Sequence, residues 1–140
     1  MKHILYNTTG ICDTAVLIKE SALRKDAIQD AYISLLNQQE VIAISLDYAG
    51  KPKPTATIIT DYLNQLMPVL GQCQVQYLIC ADGEYFKKLT GVKKVDAYYG
   101  ILLPCKIPNY EFIQVCLVPS YLSYVYSDEN KVKAANSIAA

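Results

Sequence analysis

Short apolar runs alternate with longer amphipathic segments along this chain of 140 residues. Apolar runs predict strands over residues 3–6, 41–46, 75–80 and 112–118, with a shorter run at 99–103. Between them, residues 21–37 and 55–66 carry apolar positions at helical spacing. Strands that alternate with helices are typical of βαβ units and a parallel sheet. We therefore expect an α/β fold of three layers, α/β/α, with a small and mainly parallel sheet of about four strands.

Residues with cap and turn preferences mark the ends of the expected helices. Ser21 and Thr55 are predicted N-caps of the first two helices, because their hydroxyls can accept from free backbone N–H groups. Pro68 is expected to kink or end the second helix, since it has no N–H to donate. Asp82 is predicted to cap a short third helix that stops at Gly91.

The length favours one domain, residues 1–140, with a real hydrophobic core. Asp128 is predicted to cap a last helix that is still running at Ala140. A domain that stops in mid-helix is typical of a segment from a longer protein, so we expect the natural chain to continue.

Composition narrows the function classes. Thirteen basic residues balance thirteen acidic ones, so any contact with DNA must come from a local basic patch and not from the net charge. No apolar run is long enough for a membrane span, and the chain does not begin like a signal peptide. We expect a cytoplasmic protein without a membrane partner, in the host-cell cytoplasm if a phage encodes it.

The five cysteines are odd in number and have no Cys-x-x-Cys spacing, and His3 is the single histidine. Zinc sites need several such ligands at short spacing, so we expect no metal and no cofactor. Cys80 and Cys116 lie inside apolar runs and are expected to be reduced core residues.

Candidate binding residues gather at one edge of the expected sheet. Ligands of open α/β sheets bind beyond the carboxyl ends of the strands, and we expect the segments around residues 7, 82 and 119 to form one shallow pocket there. The predicted ligand- or DNA-binding residues of this rim are Thr8, Thr9, Gly10, Asp47, Asp82, Gly83, Pro119, Ser120 and Tyr121.

Lysines form the expected basic patch. Lys87, Lys88, Lys93 and Lys94 cluster around Gly91, and we expect the first two to contact DNA phosphates. Lys51 and Lys53 are expected in a loop at the same edge as the pocket. An ordinary solvated face remains the alternative interpretation of these lysines.

Tyrosines supply a second candidate surface. The chain has 12 tyrosines, and Tyr121, Tyr124 and Tyr126 follow one another closely near its end. They are expected to bind a replication protein or a host factor, or to stack on bases.

Four segments carry a resemblance to a known family: residues 6–10 (Tyr-Asn-Thr-Thr-Gly), 78–91, 100–102 and 118–122 (Val-Pro-Ser-Tyr-Leu). In order and spacing they resemble the uracil-DNA glycosylase superfamily, in the reduced form found at the N-terminus of some phage family A DNA polymerases. The resemblance implies a glycosylase-like fold over nearly the whole chain, with residues 6–10 at the water-activating motif and residues 118–120 at the His-Pro-Ser loop.

The departures from the family pattern bear on chemistry. Asn7 stands near the water-handling position, where it can orient water but cannot take its proton near neutral pH. Val118 stands where the family has the histidine that stabilises the departing base. We therefore expect an accessory domain of a phage DNA polymerase that contacts DNA or a replication partner without catalysis of its own.

Three alternatives remain open. The chain is an active uracil-DNA glycosylase with Asn7 as its water-positioning residue, or a free-standing small phage protein that binds a host factor. The third alternative, a nucleotide- or flavin-binding domain, lacks a Gly-x-Gly-x-x-Gly after the first strand.

Overall fold

The computed structural model describes residues 2–7, 11–19, 22–36, 40–46 and 56–121, which build one sheet with helices on both faces. The elements in chain order are β1 (Lys2–Tyr6), β2 (Thr14–Lys19), α1 (Lys25–Ala31), a 3-10 turn (Ile33–Leu35), β3 (Val41–Leu46), α2 (Ala56–Gln72), β4 (Tyr77–Cys80), α3 (Gly83–Thr90), β5 (Leu102–Pro104) and β6 (Gln114–Leu117). Among these residues no helix has the length and apolar character that a membrane crossing requires.

The sheet has six strands in the order β1-β3-β2-β4-β6-β5. Its four inner strands are mutually parallel, whereas β1 and β5 add antiparallel edges. The expected α/β class is confirmed, and the expected count of about four strands is too low. We call the end of the sheet where the parallel strands stop (Leu17, Cys80, Leu117) the carboxyl edge. The end where they start (Thr14, Tyr77, Gln114) is the amino edge.

Strand β2 lies in the middle of the sheet, and the sequence pattern does not predict it. Its residues from Thr14 to Ile18 are all buried, because the strand has a neighbour on each side and a helical layer on each face. The sequence of such a strand is a continuous apolar run without polar alternation. Hydrophobic periodicity cannot distinguish this run from a buried helix.

The two faces of the sheet carry separate apolar clusters. Helices α2 and α3 cover one face, where Leu66 and Phe86 are fully buried. Helix α1 and the 3-10 turn cover the other face around Ile28 and Tyr32. Alternate residues of each inner strand point to opposite faces, as Leu17 and Ile18 do on β2.

Helix α2 continues through Pro68 to Gln72, so Pro68 does not end the helix. Pro68 lies on the exposed side of the helix, where water can satisfy the carbonyl that loses its donor. Met67 and Leu70 on either side are buried against the sheet and hold the last turns in place.

Helix α1 is much shorter than the segment 21–37 that the pattern predicts. Arg24, just before it, is extended, and Tyr32, just after it, leaves the helical region with φ −126°. The Tyr32 hydroxyl bonds to Pro119 and Tyr121, so tertiary contacts take this residue out of the helix. The predicted caps Ser21 and Thr55 lie outside the described residues, as does the predicted helix after Asp128.

Candidate functional site

The carboxyl edge contains the topological switch point at which α/β sheets bind ligands. From β2 the chain passes to β3 on one side, and α2 then carries it back past β2 to β4 on the other. The order of the strands therefore reverses between β2 and β4, where ligands of this architecture bind. Lys19 ends β2 at this point, and Asp82 follows β4.

Asp82 is the N-cap of α3, as predicted. Its Oδ1 accepts from the N–H groups of Glu84 at 2.9 Å and Tyr85 at 3.2 Å. Its Oδ2 lies 3.6 Å from Lys19 Nζ, with the carboxylate 4% exposed and the lysine 62% exposed. An anionic side chain thus already occupies the positive end of the helix. The arrangement stabilises α3 and opposes a phosphate at the same place.

Gly83 opens α3 without forming a cradle for a ligand. A Cβ built on Gly83 would lie 3.6 Å from a methyl group of Val95, which is an ordinary contact. The position therefore accepts a side chain, and the glycine is not needed for a ligand to approach the backbone.

The loop Pro119–Tyr121 is held at the same edge by a buried tyrosine. The Tyr32 hydroxyl donates to the Pro119 carbonyl at 2.8 Å and accepts from the Tyr121 N–H at 2.7 Å. Tyr121 in turn donates its hydroxyl to the Ala22 carbonyl at 2.8 Å, and its ring meets that of Tyr32 edge-on. Burial raises the pKa of Tyr121, and Arg24 lowers it in part.

These contacts change the interpretation of Tyr121. The predicted partner surface of Tyr121, Tyr124 and Tyr126 loses its first member, because the ring and hydroxyl of Tyr121 are already engaged inside the fold. Tyr124 and Tyr126 lie outside the described residues. Ser120, next in the loop, is half-buried and has an interaction of its own.

Val118 is a core residue. It is 1% exposed, packs in the cluster under α1, and donates its N–H to the Cys80 carbonyl at 3.0 Å. No side-chain donor is available at this position, where the glycosylase resemblance would require one.

Asn7 lies at the opposite end of the sheet, so its expected place in the pocket is wrong. Strand β1 is antiparallel to β3 and pairs Tyr6 with Val41, the first residue of β3. Asn7 therefore follows β1 at the amino edge, whereas Asp82 and Pro119 lie at the carboxyl edge. The structure brings Asp82, Gly83 and Pro119–Tyr121 to one edge; Thr8, Thr9, Gly10 and Asp47 lie outside the described residues.

A set of basic residues lies on the second half of α3, on the segment that follows Gly91, and at Lys106 beside that turn. It consists of five lysines, Lys87, Lys88, Lys93, Lys94 and Lys106, which we call the lysine surface. All but Lys87 are exposed. Lys106 lies against Gly91, and Val95, which follows Lys94, packs on Gly83 at the start of α3. Lys51 and Lys53, which were expected to join the lysine surface, lie outside the described residues.

Gly91 organises this surface. It ends α3 in the left-handed conformation with φ 75°, which glycine adopts without strain. A Cβ there would lie 3.0 Å from Lys106 Cδ and 3.3 Å from its Nζ. The Lys106 N–H also donates to the Leu89 carbonyl at 2.7 Å. The turn and the lysine therefore fit against each other.

The charge of the surface is only partly compensated. Lys87 pairs with Glu84 at 3.2 Å, and Asp96 follows Lys94 in the chain. Residues 84–96 and Lys106 together hold five lysines and these two acids, a formal charge of +3, and the charge of Glu111 acts on Cys105, next to Lys106. Lys87 and Lys88 also stabilise the carboxyl end of α3, but Lys93 and Lys94 lie beyond the helix.

The sequence does not predict three residues of these sites. Lys19 is missed because β2 is missed. Lys106 is remote in sequence from Gly91, and no local signal joins them. Tyr32 sits in a segment with a helical pattern, and its bond to a loop 87 residues away leaves no local trace.

In comparisons with known proteins, neither a family model nor a curated protein matches the chain.

Proposed function

We propose that this chain is a DNA-contacting accessory domain with a glycosylase-like scaffold, part of a phage DNA polymerase, and that it binds the phosphate backbone without cleaving the glycosidic bond of a base. The observation that carries the DNA contact is the lysine surface, with its local charge of +3 on a chain of zero net charge. Phosphate contacts by lysine are independent of base sequence, so the expected binding is weakly selective.

The polymerase assignment rests on the ordered sequence segments that resemble the family. It is supported by the parallel inner strands and by the two loops, at Asp82 and Pro119, that share the carboxyl edge. The segment 6–10 no longer supports it, since Asn7 follows an antiparallel edge strand.

The lack of catalysis is argued from two positions. Asn7 is at the far edge of the sheet from the Pro119 loop, so it cannot orient a water for a base held there. Val118 is buried and offers no donor to a departing base. We expect no abasic sites from a uracil-containing oligonucleotide at high protein excess, and their formation would contradict this part of the proposal.

The binding itself is tested with labelled single- and double-stranded oligonucleotides by fluorescence anisotropy. The double variant Lys93→Glu, Lys94→Glu is compared with Arg24→Glu, Lys25→Glu, which makes the same charge change on the α1 side. Loss of two phosphate contacts weakens binding by at least about tenfold at 0.1 M salt. Equal loss in both double variants would refute the lysine surface as the interface.

A further inference from the structure

Cys12 and Cys73 lie side by side at the amino edge. The N–H of Cys12 donates to the carbonyl of Cys73 at 3.0 Å. Both side chains pack in the cluster on the α2–α3 face, where Cys12 is buried and Cys73 is half-buried. They are far apart in sequence, and the fold brings them together.

The backbone around the pair is fixed on both sides. The Asp13 carbonyl, next to Cys12, accepts from the N–H groups of Gln76 at 2.8 Å and Tyr77 at 2.9 Å. These bonds extend the pairing of β2 with β4, which begins at Thr14 and Tyr77. The Cys73 N–H donates to the Val69 carbonyl at the end of α2. The two cysteines are therefore held in a constant relation to each other.

We propose that Cys12 and Cys73 are a redox modification site that forms a reversible disulfide with a small disulfide such as oxidised glutathione. The backbone hydrogen bond holds the two residues at about the spacing of hydrogen-bonded strands, where Cα atoms lie about 5.5 Å apart. That spacing is inside the roughly 4.4–6.8 Å that a disulfide spans.

The exposure of the two thiols sets the order of the steps. The Cys73 sulfur, as thiolate, attacks one sulfur of oxidised glutathione; that disulfide breaks, and the departing glutathione takes up a proton. Cys12 then loses its proton and attacks the Cys73 sulfur, which releases a second glutathione. The two cysteines lose two electrons, and one glutathione disulfide becomes two thiols. Burial, and Cys73 beside it, raise the pKa of Cys12, so Cys12 is slow to react with an outside disulfide and acts second, on the neighbouring Cys73 sulfur.

The other three cysteines are not expected to react with oxidised glutathione or to pair with Cys12 or Cys73. Cys80 and Cys116 are on neighbouring strands but belong to the clusters on opposite faces of the sheet. Cys105 is 1% exposed. Burial raises the pKa of each of these three thiols, so they react slowly with an outside disulfide.

The test treats the folded 140-residue protein with oxidised glutathione, blocks the remaining thiols with N-ethylmaleimide under denaturing conditions, and maps the peptides by mass spectrometry. We expect a Cys12–Cys73 cross-link that dithiothreitol removes, with the other three cysteines alkylated. Oxidised protein should melt several degrees higher, because the bond closes a long loop. A different pairing, or no cross-link in the folded protein, would overturn the proposal.

Two variants separate the roles. Cys12→Ser should accumulate a stable glutathione adduct on Cys73, because the resolving thiol is gone. Cys73→Ser should leave Cys12 unmodified on the same timescale. The rate of adduct formation on Cys12 in the Cys73→Ser protein is compared with the rate on Cys73 in the Cys12→Ser protein. Equal rates would refute the order of attack.

Discussion

The Tyr32 hydroxyl supports the whole Pro119 loop, and its removal is a sharp test of the fold at the carboxyl edge. In Tyr32→Phe the ring still fills its fully buried position, so no cavity forms. The Pro119 carbonyl and the Tyr121 N–H both lose their partner. A buried polar group left unsatisfied costs about 1–3 kcal/mol, and Tyr121 is half-buried, so we expect a total loss of about 2–4 kcal/mol.

The assay is urea unfolding followed by circular dichroism, with Tyr77→Phe as the matched control. Tyr77 is 44% exposed, and its loss of a hydroxyl is expected to change the free energy of unfolding by less than about 0.5 kcal/mol. Since a domain has roughly 5–15 kcal/mol in total, the Tyr32 effect is easily measured. A Tyr32→Phe protein as stable as Tyr77→Phe would refute the structural role of this hydroxyl.

Three further predictions concern stability. Asp82→Asn keeps the cap of α3 and costs under about 1 kcal/mol, whereas Asp82→Ala costs about 1–2 kcal/mol in chemical unfolding; equal costs would contradict the capping role. Gly91→Ala puts a side chain at a backbone φ of 75° and places its Cβ against Lys106, so the melting temperature should fall. An unchanged melting temperature would contradict the strain expected at this turn. Burial, with Asp26 nearby, raises the pKa of Tyr6 to about 12, so the neutral form is favoured in the folded state. The free energy of unfolding therefore falls as pH rises from about 10 to about 12, and Tyr6→Phe flattens that fall; an equal slope in both proteins would contradict it.

The sequence correctly predicts the features that depend on residues close together in the chain. Asp82 and Gly91 mark both ends of α3 as expected, because a cap and a left-handed turn depend on neighbours in sequence. Helix α2 continues past Pro68, where its buried neighbours hold it against the sheet, and Tyr32 leaves the helical conformation because of its bond to Pro119. The direction of β1 depends on its pairing with β3, for which a five-residue strand has no sequence signal.

The same distinction applies to the candidate site. Lys87 and Lys88 are close to Lys93 and Lys94 in sequence, so a cluster around the Gly91 turn follows from any short helix there. The expected pocket needed residues 7, 82 and 119 at one edge, which depends on strand directions. The antiparallel β1 separates residue 7 from the other two.

The most direct measurement of the central claim is the association constant for duplex DNA over a series of salt concentrations. If four of the five lysines contact phosphates, a plot of log K against log salt has a slope of about −3.6. In the Lys93→Ala, Lys94→Ala protein the slope should become shallower by about 1.8. Affinity that is indifferent to salt, or an undiminished slope after both lysines are removed, would contradict a phosphate-binding role for this surface.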